Sequence, residues 1–319
     1  MQFWKDGIEN MYPLKLKPIY WDCIWGNHKL AEIRKDPSIH GTSWEISAHP
    51  HADNIILNGV YAGRTLMQML DDYPAEMLGE KRRSQMLRLC YLDAAQSLSI
   101  QVHPYNEYAR IHENDEGKTE SWYMVDVDPG SRLIAGTTAS SKEELRKAVS
   151  EDRIEETVNR IEMENQDFIC IDAGQLHALG AGILALEIGT NSDTTYRFYD
   201  YHRKGPDGKE RELHLDKSFD VVDTEKQCQK THHPVIAGQE KMMFDREEFS
   251  IKLVDLDGEY SFIPNGKTFY CLSNVSNDCQ LIYDGEAVPF AYTENLFVPA
   301  DCGEIIFKGK ARILISFIR

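Results

Sequence analysis

Short runs of β-branched and aromatic residues recur along the chain, separated by glycine, proline, aspartate and asparagine. Apolar runs of about four to eight residues that are bounded by such turn-forming residues predict strands. Many short strands of this kind favour an antiparallel sandwich or barrel over alternating strand and helix units. The clearest runs in the first two thirds of the chain are TSWEIS (42–47), LSIQVH (98–103), SWYMVDV (121–127), DFICID (167–172) and ILALEIG (183–189).

Two segments have helical periodicity instead. Residues 64–78 are predicted to be helical, and Pro74 is expected to divide this segment because proline does not fit a helix interior. Residues 141–163 give the strongest helical signal, since Ser141 and Glu144 have the spacing of a capping box. The apolar stripe of this helix is predicted to comprise Leu145, Val149, Ile154, Val158 and Ile161.

The character of the sequence changes near residue 226, where KQCQKTHHPV has the polar composition of a connector. A chain of 319 residues is long enough for two domains of about 100–200 residues. We therefore predict a larger β-rich domain with helical segments over residues 1–225 and a smaller all-β domain over residues 226–319. The strands predicted in the second domain are IKLVDL, YSFIP, TFYCLS, QLIYDG, NLFVPA, EIIFKG and ARILISFI.

Composition and charge limit the classes of partner. The formal net charge of -17 argues against a nucleic-acid partner, because such proteins carry basic surfaces that neutralise phosphates. No apolar run approaches the roughly 18 residues that span a membrane, and the N-terminal segment lacks the apolar core of a secretory signal. The seven cysteines form no CxxC pair, which favours reduced thiols. We expect a cytoplasmic monomer or small homo-oligomer without nucleic-acid or membrane partners.

Candidate metal ligands lie on predicted strands and turns of the first domain. Gln101 and His103 are two residues apart on one strand and therefore point to the same face. Glu120 opens the next strand, and His177 lies in the glycine-rich turn AGQLHALGAG after another strand. Two imidazoles, a carboxylate and an amide oxygen suit a divalent ion with a position left for substrate. We predict one metal ion per chain, assigned to zinc, with iron, manganese and cobalt as alternatives.

Four ordered motifs, LSIQVHP, GKTESWY, AGQLHALGAG and LEIGTNSDTTYRFYDYHR, resemble the type I mannose-6-phosphate isomerases in their compact bacterial form. YPLKLKPIYWDCIWGNHKL, GTSWEISAHP and RELHLDKS also occur in the expected order, so that the resemblance covers roughly residues 12 to 220. It implies a mainly β fold of two cupin-like, jelly-roll barrel domains, the second without a metal site. It also implies a zinc-dependent isomerase that interconverts mannose 6-phosphate and fructose 6-phosphate through an enediolate.

The resemblance also implies roles for polar residues near the metal ligands. Arg197 is expected in the active site, where a guanidinium orients oxygens or stabilises the enediolate. Lys118 and Ser99 are expected to contact phosphate or sugar hydroxyls, and Lys118 is a catalytic candidate as well. Independently of the resemblance, Glu187 between Leu186 and Ile188 is a candidate general base, because a carboxylate facing a partly dry pocket can have its pKa raised toward the working range. Its alternative role is a structural ion pair with Arg197 or Lys118.

Several other histidines and aromatic residues have a weaker case for a role at the site. We predict surface or structural roles for His49, His51, His232 and His233, which lack a comparable context of strand, turn and neighbouring acid or amide. A sugar-stacking surface is one possible role for Trp25, Trp44 and Trp122. Lone aromatic residues are more often part of the core, which is the alternative role for these three.

The sequence leaves two other functions open. Two histidines and a carboxylate around an open metal position also suit a non-haem metal oxygenase of the cupin class, which would consume oxygen. A cupin that binds sugar phosphates without turning them over would bind mannose 6-phosphate tightly and leave it unconverted. Fold alone does not separate these functions from an isomerase.

Overall fold

The computed structural model describes residues 11–319. Residues 1–10, part of the segment considered as a secretory signal, lie outside the described residues. Within the described range, no helix is long and apolar enough to cross a membrane. The strands of this range outnumber its α-helices by 22 to six, in agreement with the predicted mainly β class.

The helices and strands are short, apart from two long strands near the C-terminus. The α-helices are α1 (Lys29–Arg34), α2 (Leu66–Asp72), α3 (Pro74–Leu78), α4 (Asn106–His112), α5 (Lys142–Ser150) and α6 (Leu215–Val221). The first eleven strands are β1 (Leu14–Lys15), β2 (Ile19–Asp22), β3 (Gly41–Ile46), β4 (Ala48–His49), β5 (Ala52–Asp53), β6 (Leu87–Ala94), β7 (Ile100–Val102), β8 (Glu120–Val127), β9 (Arg132–Thr137), β10 (Val158–Glu162) and β11 (Asp167–Ile171). The others are β12 (His177–Ala178), β13 (Ile183–Thr190), β14 (Tyr196–Tyr199), β15 (Thr231–His232), β16 (Glu240–Asp245), β17 (Ser250–Phe262), β18 (Tyr270–Asn274), β19 (Cys279–Tyr283), β20 (Glu286–Phe290), β21 (Asn295–Val298) and β22 (Ile305–Phe317).

Local chemistry explains most of the predicted elements. Each of the five apolar runs in the first two thirds of the chain forms a strand, namely β3, β7, β8, β11 and β13. The prediction of a divided helix over residues 64–78 is confirmed by α2 and α3. Thr65 and Gln68 form a reciprocal capping box at the start of α2, and Pro74 occupies the first turn of α3, where its missing N–H costs nothing.

The helix predicted over residues 141–163 is wrong beyond Ser150. Ser141 caps α5 by accepting a hydrogen bond from the backbone N–H of Glu144, as the sequence predicts. The helix then ends, and Asp152 adopts the left-handed conformation with φ of 55°. An α-helix does not continue through such a residue.

The remainder of that segment forms a 3₁₀ turn (Ile154–Thr157) and β10. The register of β10 against β9 shifts between Val158 and Arg160, which is the mark of a bulge. Val158 and Ile161 are therefore three residues apart on a bulged strand, a spacing that imitates one turn of a helix.

Two pairs of runs predicted as separate strands form single long strands. IKLVDL and YSFIP both belong to β17, and EIIFKG and ARILISFI both belong to β22. Gly258 of β17 lies opposite Gly309 of β22, with φ of 111° and 131° respectively. Glycine adopts these conformations without steric cost, so the strand pairing continues where a turn was predicted.

The described chain forms two compact units, and neither is one continuous stretch of sequence. The first unit combines the described chain up to Ile19 with Ser43–Cys90 and Pro234–Arg319. It contains an antiparallel sheet with the order β1-β21-β18-β22-β17-β16, in which β19 also pairs with β22 and with β20. Residues 226–319 thus enter this unit from Pro234 onward. Their separation as a metal-free domain stays a prediction.

The second unit combines Tyr20–Thr42 with Tyr91–His233. One of its sheets has the strand order β10-β9-β12-β7-β14, and another includes the order β15-β11-β8-β13. Ile100 and Val102 of β7 are both buried in one apolar cluster with Phe198 and Phe219. Side chains alternate along a strand, so Gln101 between them projects from the opposite face.

Candidate metal centre

Three of the predicted metal ligands meet inside the second unit. His103 directly follows β7, Glu120 begins β8 and His177 begins β12. Nε2 of His103 lies 3.3 Å from Oε2 of Glu120, and Nε2 of His177 lies 3.4 Å from Oε1 of the same carboxylate. Their donor atoms all lie within 4.8 Å of one another, and all three side chains are fully buried. This arrangement fits a metal ion.

Strand register brings Gln101 and Arg197 beside these residues. Gln101 lies opposite His177 of β12 and opposite Arg197 of β14, and opposite residues of antiparallel strands project from the same face. Nε2 of Gln101 is 3.3 Å from Nε2 of His177, and Ser99 donates to Oε1 of Gln101 at 3.5 Å. A half-turn of the amide exchanges its nitrogen and oxygen, so Gln101 can offer the centre an acceptor.

Backbone carbonyls fix the tautomers of the two histidines. Nδ1 of His103 lies 3.0 Å from the carbonyl oxygen of Thr194, and Nδ1 of His177 lies 2.8 Å from that of Gln175. A carbonyl only accepts hydrogen bonds, so each Nδ1 carries a proton and each Nε2 presents a lone pair. Among residues 11–319, Nε2 of His103 and Oε1 of Glu120 are buried without a hydrogen-bond partner. Such orphaned acceptors suit a bound cation.

Buried charges set the protonation states at this centre. Nζ of Lys118 lies 2.5 Å from Oε2 of Glu120 and 3.0 Å from Oε1 of Glu187. Burial and the charge of Lys118 lower the pKa of His103 to about 4, and burial lowers the pKa of His177. Burial alone would raise the pKa of Glu120, but Lys118 and the two histidines outweigh it and hold that pKa well below its ordinary value. Neutral imidazoles and an ionised carboxylate are the forms that bind metals.

Glu187 and Lys118 form the ion pair that the sequence suggested as one alternative. Glu187 lies opposite Trp122 in the pairing of β13 with β8, so both side chains project from one face of the sheet. Each member of the Lys118–Glu187 pair is at most 5% exposed. Because Lys118 also contacts Glu120, the ion pair adjoins the candidate metal ligands.

Arg197 is anchored by the segment that precedes α6. Its Nη1 donates to the carbonyl of Glu212 at 2.8 Å, and its backbone N–H donates to Nδ1 of His214 at 3.0 Å. Nε of Arg197 has no partner among the described residues. Burial and the nearby Arg211 lower the pKa of Arg197 from its ordinary, very high value. The guanidinium is therefore partly desolvated and keeps an unused donor.

The residues that orient the histidines were not identified from the sequence. Thr194 and Gln175 act through backbone carbonyls, which have no signature in the side-chain pattern. His214 lies in the motif RELHLDKS, and the resemblance implies no role for this histidine. His214 accepts a hydrogen bond from the backbone N–H of Arg197, so this motif helps to hold Arg197 in place.

The remaining histidines lie outside this centre. The imidazole of His232 contacts Oδ1 of Asp167 at 2.9 Å, in a partly exposed cluster where Lys230 already pairs with Asp167 at 2.7 Å. Nδ1 of His49 accepts from the backbone N–H of His51 at 3.2 Å. The imidazole of His233 contacts the hydroxyl of Thr231 at 2.8 Å.

The three tryptophans considered for a sugar-stacking surface, Trp25, Trp44 and Trp122, are buried. Trp25 and Trp122 belong to one apolar cluster, and Trp44 packs under Arg88 in a cation–π contact of 4.3 Å. Trp122 additionally stands edge-on to the ring of His177, with a centroid distance of 5.7 Å. All three side chains therefore contribute to packing, and Trp122 also borders the candidate centre.

Comparison with known proteins decides the family. Residues 14–130 match the family model for the phosphomannose isomerase type I catalytic domain. A Bacillus subtilis protein named mannose-6-phosphate isomerase ManA is 36% identical over 96% of this chain and 99% of its own length. The chain belongs to the type I phosphomannose isomerase family. A further relative, the mannose-6-phosphate isomerase of Streptococcus mutans, is 41% identical over 66% of this chain and 67% of its own.

The fold of this family member agrees with a solved structure. The crystal structure of the mannose 6-phosphate isomerase from Bacillus subtilis superposes with a TM-score of 0.86 at 30% identity, covering 96% of this chain and 99% of that one. The predicted resemblance and the mainly β, cupin-type fold class are therefore confirmed.

Proposed function

We propose that this protein is a metal-dependent aldose–ketose isomerase that interconverts mannose 6-phosphate and fructose 6-phosphate in the cytoplasm. The observation that carries the proposal is the buried convergence of His103 and His177 on Glu120, in a chain of the type I phosphomannose isomerase family. Relatives that are similar over most of this chain carry the name of this reaction. The expected partner is thus a small sugar phosphate.

His103, Glu120 and His177 hold one divalent ion in this proposal, with the amide oxygen of Gln101 as a fourth ligand. Zinc is assigned because it favours imidazole nitrogen and carboxylate oxygen, and because catalytic zinc sites keep a position for water or substrate. When bound, such an ion is a Lewis acid that stabilises negative charge developing on sugar oxygens. The neutral imidazoles and the anionic carboxylate that burial and Lys118 favour need no proton loss before they bind the ion.

Glu187 is assigned the proton transfer between C1 and C2 of the open-chain sugar. A carboxylate can accept the proton from one carbon and return it to its neighbour. Lys118 fixes this carboxylate through its contact of 3.0 Å, and the same ammonium contacts Glu120, so the base and a metal ligand share one anchor. Lys118 is also assigned a contact with a substrate oxygen.

Arg197 and Ser99 are assigned to the substrate oxygens. The guanidinium of Arg197 is held at Nη1 by the Glu212 carbonyl, which leaves Nε for a developing enediolate or another substrate oxygen. Ser99 is buried beside Gln101, where its hydroxyl can turn from the amide to a phosphate or hydroxyl oxygen.

One experiment separates this function from its two rivals. The purified chain is assayed for conversion of mannose 6-phosphate to fructose 6-phosphate as isolated, after chelation, and after single metals are added back. We expect chelation to abolish conversion and one divalent metal to restore it. The protein loaded with iron(II) should take up no oxygen. Oxygen uptake would support an oxygenase instead. Tight binding of mannose 6-phosphate by the loaded protein without conversion would support a binding protein.

A further inference from the structure

The side chain of Asp115, between α4 and β8, holds three consecutive residues that follow β13. Its Oδ2 accepts from Oγ1 of Thr194 at 2.8 Å, from Oγ of Ser192 at 3.1 Å and from the backbone N–H of Asp193 at 3.1 Å. Hydrogen bonds to a carboxylate are stronger than those between neutral groups. Three donors on one oxygen therefore fix the position of this short segment.

That segment reaches the candidate metal centre through one carbonyl. Thr194 accepts at its carbonyl oxygen from Nδ1 of the fully buried His103, at 3.0 Å. The partner of a histidine's non-ligating nitrogen sets both the tautomer and the orientation of its ring. A shift of Thr194 would therefore turn Nε2 of His103 away from Glu120.

The other candidate histidine ligand, His177, does not depend on a distant segment for its orientation. His177 places its Nδ1 against the carbonyl of Gln175, only two residues earlier in the same turn. The partner of His103 instead comes from a segment 91 residues away. Only one of the two imidazoles thus relies on a remote loop for its orientation.

We propose that Asp115 is a positioning residue for the metal centre, because it fixes the carbonyl that orients His103. The inference rests on the proposed role of His103 as a metal ligand. Asp115 acts on the residues after β13 in particular, since Thr190 at the end of that strand is tied separately. Thr190 donates its hydroxyl to the carbonyl of Gly117, and its backbone pairs with Thr119. Loss of the Asp115 carboxylate should therefore remove three restraints on Ser192–Thr194 without separating the strands.

The test measures zinc affinity in the metal-depleted protein by competition with a chromophoric chelator, with no activity readout. Asp115→Ala should weaken zinc binding roughly tenfold, as expected for loss of an outer-shell contact. Asp115→Asn keeps an acceptor but loses the charge, so its zinc affinity should lie between that of the unaltered protein and that of Asp115→Ala. The matched control is Glu116→Gln, an adjacent acid whose partner is the exposed Arg110 at 2.7 Å, and it should bind zinc like the unaltered protein.

A second readout separates positioning from general destabilisation. In the metal-free protein, Asp115→Ala should change the ¹⁵N resonances of the His103 ring and leave those of His177 unchanged. Thr194→Val removes one donor to Asp115 but keeps the carbonyl, and it should change the same resonances in the same direction even if Asp115→Ala does not fold. Zinc affinity within about twofold of the unaltered protein, together with unchanged His103 resonances, would overturn the inference.

His103→Ala, measured in parallel, distinguishes failure of this inference from failure of the proposed function. If His103→Ala loses zinc while Asp115→Ala and Thr194→Val bind it normally, the metal site stands and only the role of Asp115 fails. If the unaltered protein binds no zinc, or His103→Ala binds it equally well, the proposed site itself fails and the role of Asp115 fails with it.

Discussion

Nζ of Lys118 lies 3.0 Å from Oε1 of Glu187, in a pair of side chains that are almost completely buried. The same ammonium lies 2.5 Å from Oε2 of Glu120, so one buried cation joins the proposed base to a proposed metal ligand. Removing one partner of a buried ion pair leaves an uncompensated charge. A neutral replacement of similar shape at Glu187 still leaves the ammonium its contact with Glu120, so it is the informative one there.

Glu187→Gln should lower turnover of mannose 6-phosphate by about 10²–10⁴, because an amide does not accept the substrate proton. Bound metal should not change, since Glu187 is outside the cluster of His103, Glu120 and His177. Turnover and metal content measured on the same sample check both statements. Glu162→Gln, an exposed acid paired with Arg132, is the control. Near-normal turnover in Glu187→Gln would remove this residue from the proton transfer.

Arg197→Ala should keep the metal and lose about 10²–10³ in turnover, the usual cost of removing a donor that stabilises developing negative charge. Arg197→Lys should recover little, because an ammonium does not reproduce the planar guanidinium. The control is Arg160→Ala, which removes a partly exposed arginine paired with Glu155. Steady-state kinetics and metal analysis are the measurements. An Arg197→Ala variant with unchanged kcat would exclude a role in catalysis.

Gly189→Ala should disturb the metal centre through the backbone. Gly189 lies opposite Glu120, and an added Cβ would lie 2.7 Å from the carbonyl oxygen of Thr119 and 3.0 Å from Cα of Glu120. We expect weaker zinc binding and a loss of about 1–3 kcal/mol in the free energy of unfolding, typical of overpacking. Gly303→Ala, where the nearest contact would be 3.5 Å, is the control. Unchanged zinc affinity in Gly189→Ala would show that Glu120 tolerates the added methyl group.

The metal-free protein should lose stability as the pH falls from about 6.5 to about 4. The pKa of His103 is lowered in the folded protein to about 4 from an ordinary value of 6.5. Between these values the unfolded chain binds the proton and the folded chain does not, so the free energy of unfolding rises with pH. Urea unfolding at a series of pH values should show this slope, which His103→Gln should reduce and the exposed His51→Gln should not. An equal slope in His103→Gln would contradict the assignment to His103.

Much of the fold could be predicted because strand periodicity and turn residues act locally. The errors have identifiable causes in the backbone. A bulge between Val158 and Arg160 imitates helical spacing, and the opposed Gly258 and Gly309 continue a strand pair where glycine usually marks a turn. Neither feature changes the apolar pattern of the sequence. Both depend on strand pairing between segments distant in sequence.

The candidate site was predictable to the extent that side-chain chemistry defines it. His103, Glu120 and His177 combine metal-binding side chains with positions at strand ends, and the structure brings them together. The carbonyl of Thr194 and the loop contacts of Asp115 were not predictable. A backbone carbonyl and the distant residue that holds it in place produce no recognisable motif in the sequence.

The most direct test of the metal centre is a titration of metal-depleted protein with zinc, in which bound zinc and mannose 6-phosphate turnover are measured on the same samples. Both should rise together and saturate at one zinc per chain. His177→Ala should show neither, whereas His232→Ala, whose imidazole contacts Asp167 outside the centre, should titrate like the unaltered protein. Full turnover in metal-free protein, or zinc-dependent turnover in His177→Ala, would contradict a catalytic metal held by His103, Glu120 and His177.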